Sequence, residues 1–234
     1  MKPIHRHVTR FWSEERSLTA FLILLIVEIF VIAPMQFTGF GFSLVNSVLF
    51  SLLLLTGLFT LTRRRTVQAV LAIFVALSVA THWAYIFFGL TDLRFLDGLL
   101  MLLCTIGLLV VVLWQVYREG PVTAHRIQGA VAAYLLLSVI FAIAYGLLES
   151  FAPASFLLPS SHSHAGTRIN PSFYYFSVVT LTTTGYGDIT AASPFARTLV
   201  MMEALIGPLY PAILIARLVS LHVEWKREKR GEHP

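Results

Sequence analysis

The segment Thr182-Thr-Thr-Gly-Tyr-Gly-Asp188 contains residue types that could bind a cation stripped of its water. Such a cation needs several oxygens in a row, and backbone carbonyls supply them without adding charge. Gly185 and Gly187 permit backbone angles that are costly for residues with a side chain. The hydroxyl of Thr183 could add one more oxygen at one end of the row. The alternative is an ordinary Gly-Tyr-Gly turn at the tip of a loop.

The same segment resembles the selectivity filter of the potassium channel family, whose pattern is Thr-x-Gly-Tyr-Gly. The match is complete at four positions, and an aspartate follows where the family often has one. The resemblance is strong over about residues 126–222 and weak before them. It implies that K+ is coordinated by the filter and that Asp188 concentrates cations at the outer mouth. The implied filter residues are Thr183, Thr184, Gly185, Tyr186 and Gly187.

The composition predicts a membrane protein. Of the 234 residues 57% are hydrophobic and only 12% are charged, whereas soluble domains average about 25% charged residues. Six apolar segments each approach or exceed the roughly 20 residues that cross a bilayer as a helix. We therefore expect an all-α membrane protein with six transmembrane helices. The segments are residues 18–37, 42–61, 67–89, 95–117, 126–149 and 195–222.

A further apolar run, at about residues 171–182, is too short to cross a bilayer. A helix rises about 1.5 Å per residue, so this run reaches across roughly half of the hydrocarbon core. We expect a re-entrant pore helix that leads into the filter. Asn170 and Pro171 suit its start, because Asn is a favoured N-cap and Pro fits the first helical position. Its C-terminal end would carry the partial negative charge that favours a cation.

The basic residues predict the orientation in the membrane. Of the 17 Lys and Arg residues, 14 fall on one side of the six predicted helices, and only Arg94, Arg168 and Arg197 fall on the other. The positive-inside rule then places both termini in the cytoplasm of a plasma or inner membrane. Because the charges cluster at helix ends, the net charge of +5 does not indicate a nucleic-acid partner.

The chain divides into four predicted regions. They are a cytoplasmic N-terminal segment (1–17), a peripheral four-helix domain (18–120), a pore domain (121–222) and a basic cytoplasmic tail (223–234). The chain contains one filter segment, whereas a potassium pore needs several around one axis. We therefore expect a homotetramer in the lipid bilayer, with K+ as the permeant ion and no other cofactor.

Three residues outside the filter are predicted to support it. The resemblance implies that Tyr175 and Phe176 form an aromatic cuff that braces the filter, and the alternative is packing against lipid and neighbouring helices. Glu203 is an ionisable residue inside a predicted span, where such residues are costly and usually have a role. We expect it to hydrogen-bond the filter backbone or the pore helix, and the alternative is a purely structural bond to Thr or Ser.

The last predicted span contains a candidate gating hinge. Gly207 follows Gly187 by 20 residues, which is the spacing of the hinge glycine in the family. Pro208 and Pro211 would weaken the helical hydrogen bonds and allow a bend. The alternative is that Gly207 only permits close helix packing.

The peripheral helices lack the charges of a voltage sensor. The fourth span has Arg94 at its outer end and no ladder of basic residues, whereas steep voltage gating needs about 3–4 charges per subunit. We therefore expect weak or no voltage sensitivity. Glu28 in the first span could pair with Arg94. His82 is more typical of a hydrogen-bonded core residue than of a proton sensor, and His162 and His164 of a solvated loop than of a metal site.

These patterns together predict a channel that conducts K+ passively through a tetrameric pore. One alternative is a less selective monovalent cation channel, because Thr184 stands where aliphatic residues are commoner. Another is a non-conducting regulatory subunit. An enzyme is disfavoured, since the sequence has no acid pair, Cys/His ligand cluster or nucleophile–base spacing outside the pore.

Overall fold

The computed structural model describes residues 18–35, 40–61, 65–88, 94–117, 123–158 and 170–230. Within these ranges the chain forms seven helices and two short strands. The first four helices are α1 (Leu18–Met35), α2 (Phe40–Leu61), α3 (Arg65–Phe88) and α4 (Arg94–Tyr117). The remaining elements are α5 (Ala124–Phe151), β1 (Phe156–Leu157), α6 (Ser172–Leu181), β2 (Thr190–Ala191) and α7 (Pro194–Arg230).

A helix lies at each of the six predicted spans, and the all-α membrane class is confirmed. Four of the helices contain described stretches that are long and apolar enough to cross a membrane: Leu18–Met35, Phe95–Tyr117, Ala124–Phe151 and Pro194–Leu221. The apolar stretches described within α2 and α3 are shorter, at Val45–Gly57 and Leu71–Ala84. Helix α7 also continues past the predicted end of the last span and includes the first residues of the predicted tail.

Helices α4 and α5 pack against each other as an antiparallel pair along most of their length. At one end a Cβ atom added to Gly98 would lie 2.7 Å from Cδ2 of Leu147, and at the other end one added to Gly129 would lie 3.0 Å from Cγ2 of Val116. These two glycines therefore sit where the helix surfaces are closest. Helix α1 joins the pair through a hydrogen bond of 3.0 Å from Thr19 to the side chain of Gln128.

Polar residues are buried within the first four helices. Glu28 is 1% exposed and opens a π-helical turn, Glu28–Ile32, inside α1. His82 of α3 meets Asp97 of α4 at 3.1 Å between Nδ1 and Oδ2, which gives this histidine the hydrogen-bonded core environment that we expected. The side chain of Arg94 lies outside the described part of the chain, so its pairing with Glu28 stays a prediction. Residues 1–17, His162 and His164 also lie outside it.

Two short strands close the segment that contains α6 and the filter. Phe156 pairs with Ala191 and Leu157 with Thr190 in antiparallel register. The sequence does not predict this pair, since two residues per strand are too few for a recognisable alternating pattern. The turn before β1 is held by Glu149 at the end of α5, whose carboxylate accepts hydrogen bonds from the N–H groups of Ala154 and Phe156 at 2.9 and 3.1 Å.

Candidate ion-binding site

Helix α6 begins next to the predicted Asn-Pro pair. Its first helical residue is Ser172, and the side-chain oxygen of Asn170 accepts a hydrogen bond from the backbone N–H of Ser172 at 3.0 Å. The N–H groups of a first helical turn have no partner inside the helix, so a side-chain acceptor at this position stabilises the start. The Asn-Pro pair therefore fixes where α6 begins.

An aromatic cluster made of Tyr145, Phe156, Phe173 and Phe176 holds α6 against α5 and β1. The centroids of Tyr145 and Phe176 are 5.3 Å apart, and those of Phe156 and Phe173 are 5.1 Å apart with the rings nearly perpendicular. Edge-to-face contacts of this kind are favoured because the ring edge is positive and the ring face negative. Phe176, which was predicted to brace the filter, packs in this cluster and is 7% exposed.

The side chain of Tyr175 points in a different direction from that of Phe176, because adjacent residues of a helix are rotated by about 100° about its axis. Its ring stacks on the ring of Tyr186 in the filter, with centroids 6.5 Å apart and planes 2° from parallel. Within one chain, then, Tyr175 lies beside the filter, while Phe176 contacts the residues behind α6.

The carbonyl of Val179 anchors the start of the filter on the end of α6. It accepts hydrogen bonds from the N–H groups of Thr184 at 2.9 Å and Gly185 at 3.3 Å. The N–H of Thr183 donates to the carbonyl of Thr180 at 2.9 Å. The hydroxyls of Thr182 and Thr184 are 3.0 Å apart and within hydrogen-bonding distance. The role of Val179 could not be predicted from its side chain, because its backbone carbonyl makes the contacts.

The backbone of the filter alternates between two conformations. Thr183, Gly185 and Gly187 have φ angles of 60°, 57° and 78°, and the residues between them do not have positive φ. A threonine at positive φ is rare and costs roughly 1–2 kcal/mol, so the surrounding hydrogen bonds must hold it there. Alternation of left-handed and right-handed residues turns successive peptide groups to the same side of the chain. A regular strand instead turns them to opposite sides.

The filter is uncovered in a single chain. All seven residues from Thr182 to Asp188 are exposed, and the side chain of Tyr186 is 71% exposed. Backbone polar groups at membrane depth are tolerated only inside protein or beside water, because lipid offers them no hydrogen bonds. One chain therefore presents an incomplete site.

Glu203 connects three helices behind the filter. It is 0% exposed, and its two carboxyl oxygens lie in short hydrogen-bond contact with the hydroxyls of Ser177 on α6 and Tyr145 on α5. The hydroxyl of Ser177 also lies 2.8 Å from the carbonyl of Ser138 on α5. Within this chain the hydrogen-bond partners of Glu203 are thus the side chains of Ser177 and Tyr145. This arrangement fits both a bond to the pore helix and the alternative of a structural bond to a serine, so support of the filter by Glu203 stays a prediction.

Gly207 packs directly against the last residue of α6. A Cβ atom added to it would lie 2.0 Å from the carbonyl oxygen of Leu181 and 2.9 Å from its carbonyl carbon. Pro208 and Pro211 lie inside α7, which is continuous from Pro194 to Arg230. Gly207 therefore permits close helix packing, which was the alternative considered, while a hinge at Gly207 and bending at the two prolines stay predictions.

The carbonyl of Leu181 is also held from α5. Tyr134 donates its hydroxyl to this carbonyl at 2.9 Å, and the Tyr134 ring stacks on Tyr210 of α7 with centroids 5.6 Å apart. Tyr210 in turn donates to the carbonyl of Ala130 at 2.9 Å. The end of α6 is thus fixed by a chain of contacts that joins α5 to α7.

Replacing Tyr134 with phenylalanine should loosen the end of α6. We expect a loss of about 1 kcal/mol of stability, the usual net value of one hydrogen bond, and a reduced K+ flux in liposomes. Tyr210→Phe removes a bond of the same length that does not touch α6, so it should lower thermal stability similarly and leave flux nearly unchanged. Equal flux in the two variants would contradict a specific role of Tyr134.

The sequence around this site is similar to that of known proteins. Residues 134–224 match the model of a protein family described as "Ion channel". A stretch of 102 residues, 44% of this chain, is 29% identical to part of the Potassium voltage-gated channel protein shk-1 of Caenorhabditis elegans and covers 18% of that protein. The Inward rectifier potassium channel Kirbac3.1 of Paramagnetospirillum magnetotacticum is 34% identical over 84 residues, which are 34% of this chain and 24% of the relative. The matched segment is similar to ion channels, and two of these relatives are named as potassium channels.

Protein LctB of Geobacillus stearothermophilus is also similar to part of this chain, with 36% identity over 81 residues that cover 34% of this chain and 59% of LctB. The chain spans between 18% and 59% of the length of these curated relatives. No solved structure matches it. The segment that matches the family model contains the site described above, from Tyr134 through the filter to Gly207, and excludes the first four helices.

Proposed function

We propose that this protein is a K+-selective channel through which K+ moves passively across the membrane. The observation that carries the proposal is the alternating backbone of residues 183–187, because such a backbone aligns the carbonyl oxygens that replace the water around the ion. Thr183, Thr184, Gly185, Tyr186 and Gly187 coordinate K+. Asp188 follows the filter at the outer mouth and attracts cations from solution.

The pore is built from four copies of the chain. Helix α7 supports this, because only 11% of its apolar stretch is buried within one chain, against 39–50% for the stretches in α1, α4 and α5. One face of α7 is buried, with Glu203 and Gly207 against α6. The opposite face is exposed and apolar, at a spacing of four residues, and is available to line the pore and contact other copies. Its residues are Met201, Leu205, Leu209 and Ile213.

Each copy crosses the membrane six times, with α6 as a re-entrant pore helix between α5 and α7. Both termini lie in the cytoplasm, and the filter lies near the extracellular face of the cell membrane. Helices α1 to α4 form a peripheral domain. The packing of α4 along α5 of the same chain supports an assembly in which each peripheral domain lies against its own pore domain.

The channel has little or no voltage sensitivity. From Phe95 to Tyr117 helix α4 contains no Lys or Arg, and its only charged residue is the buried Asp97. Voltage sensing by this helix would need several basic residues that move through the field. The conductance should therefore change little between negative and positive membrane potentials.

Purified protein in liposomes tests the proposal. In mixed K+ and Na+ gradients the reversal potential should lie close to the K+ equilibrium potential, and chemical cross-linking should yield four-chain species. A reversal potential that does not depend on the K+ gradient would favour the less selective cation channel. Four-chain species without any flux would favour the non-conducting subunit.

The variant Gly185→Ala gives the matching negative control. In one chain its new Cβ would have no atom within 4 Å, so folding should survive. The left-handed backbone at this position would cost roughly 1–2 kcal/mol in each chain, which would disturb the row of oxygens. We expect K+ flux to fall at least about tenfold, with four-chain species still present.

A further inference from the structure

A cavity of about 370 Å³ lies between the first helix and the pore helix. Its walls are formed by Ile29 and Ala33 of α1, by Ser172 and Val178 of α6, and by residues at the far end of the filter, including Asp188. The volume lies within the range of pockets that hold small molecules, roughly 300–1,000 Å³. The supporting network of Glu203 does not involve this cavity, which borders the filter segment at Val179 and Asp188.

The walls are mostly apolar, and Asp188, Tyr174 and Tyr175 also belong to the lining. Ser172 is 3% exposed, and among the described residues its hydroxyl has no hydrogen-bond partner. A buried hydroxyl without a partner is costly and rare in native structures. The chemistry of the cavity therefore fits an apolar ligand that has a hydrogen-bond acceptor near one end.

The α1 wall is formed in part by the π-helical turn. Ile29 and Phe30 belong both to this turn and to the cavity lining, and π-turns inside α-helices occur frequently at functional sites. Phe30 of α1 lines the cavity and is 54% exposed, so the cavity opens to the surface of the chain beside α1.

The cavity runs parallel to α6, with its polar group near the start of the helix. From Ser172 to Val179 the helix rises about 10 Å. With α6 entering the bilayer from one face, Ser172 lies at the level of the lipid ester groups, and Val178 and Val179 lie at the level of the hydrocarbon.

We propose that this cavity binds one acyl chain of a bilayer phospholipid, whose ester carbonyl accepts a hydrogen bond from Ser172. The inference rests on the re-entrant course of α6 in the proposed function and does not depend on ion conduction. The bound chain contacts Val179, whose carbonyl holds the N–H groups of Thr184 and Gly185. The lipid thereby touches the residue on which the filter is anchored.

Photolabelling of the full chain in vesicles tests the site. The vesicles contain phosphatidylcholine with a photoactivatable diazirine in the acyl chain, and labelled peptides are located by mass spectrometry. We expect α6 to be labelled more strongly than the exposed apolar face of α4 around Val110, which is 59% exposed. Labelling of α6 at or below the level of α4, or cross-linking of α6 to a second chain in place of lipid, would overturn the proposal.

Two variants fill the cavity from opposite walls, so that one remains if the other fails to fold. Ala33→Phe on α1 and Val178→Phe on α6 should each reduce labelling of α6 at least about tenfold, the effect of losing a well-packed apolar contact. Ser172→Ala should reduce it about fivefold, as expected for one lost hydrogen bond. Val110→Phe on the exposed face is the matched control and should leave α6 labelling unchanged. Undiminished labelling in folded Ala33→Phe and Val178→Phe would also overturn the proposal.

The same vesicles separate this inference from the proposed function. Flux is measured beside labelling, in unmodified protein and in Gly185→Ala. Labelled protein that does not conduct K+ would count against the channel and leave the lipid site standing. Protein that conducts K+ but carries no specific label would support the channel and count against the lipid site.

Discussion

Gly207→Ala should prevent the pore domain from folding correctly and should abolish K+ flux. The added methyl group would lie 2.0 Å from the carbonyl oxygen of Leu181, well inside any allowed contact. That oxygen belongs to the backbone at the end of α6, so it cannot rotate away as the end of a side chain can. Overpacking in a well-packed core costs about 1–3 kcal/mol, and we expect this variant to lie at the upper end of that range.

The measurement is thermal unfolding in detergent together with flux in liposomes. Gly129→Ala is the matched control, because its methyl group would lie 3.0 Å from a side-chain atom of Val116 that can shift. It should cost less stability and keep most of the flux. If Gly207→Ala instead formed a tetramer of unchanged stability with only altered opening, Gly207 would be a hinge and not a packing residue.

Glu203→Ala should have the second-largest effect. The change would leave the hydroxyl of Tyr145 buried without its acceptor, while the hydroxyl of Ser177 would keep the carbonyl of Ser138. Tyr145 is 0% exposed, and a buried group that loses its partner costs about 1–3 kcal/mol, so we expect a loss of stability in the upper part of that range. Because Ser177 lies on α6, flux should fall as well.

Glu203→Gln distinguishes hydrogen bonding from charge. The hydroxyl of Ser177 has one proton, and its contacts include the carbonyl of Ser138 and an oxygen of Glu203. The side-chain oxygen of a glutamine can accept a hydrogen bond from the Tyr145 hydroxyl, and its NH₂ group can donate one to the Ser177 oxygen. The Ser177 hydroxyl then donates its proton to the carbonyl of Ser138. We expect Glu203→Gln to retain most of the stability and flux lost in Glu203→Ala. A glutamine variant as damaged as the alanine variant would show that the negative charge itself is required.

The helices and the filter could be predicted because their signals are local. Each of the six apolar runs in the sequence coincides with a helix. The filter pattern lies within seven consecutive residues, from Thr182 to Asp188, so it can be recognised without knowledge of distant contacts. The start of α6 could also be predicted, because the signal is local: the side chain of Asn170 accepts a hydrogen bond from the backbone N–H of Ser172, two residues away.

The supporting contacts could not be predicted because they join distant residues. Glu203 is buried and polar, which the sequence indicated, but its partners Ser177 and Tyr145 lie 26 and 58 positions away. The carbonyl of Leu181 meets Gly207 and Tyr134 only once α5, α6 and α7 are packed. Tyr175 and Phe176 contact different parts of the structure because adjacent residues of a helix point in different directions. Tyr175 faces the filter and Phe176 faces α5.

The two-residue strand pair determines how mechanical load passes through the pore domain. Chain entering the pore segment at Phe156 is hydrogen-bonded to chain leaving it at Ala191, and the next bond, from Ala192 to Ser155, measures 2.8 Å. A pull on α5 is therefore transmitted to the start of α7 by two routes in parallel. One is this strand pair, and the other is the set of side-chain bonds that join α5 and α7 to α6.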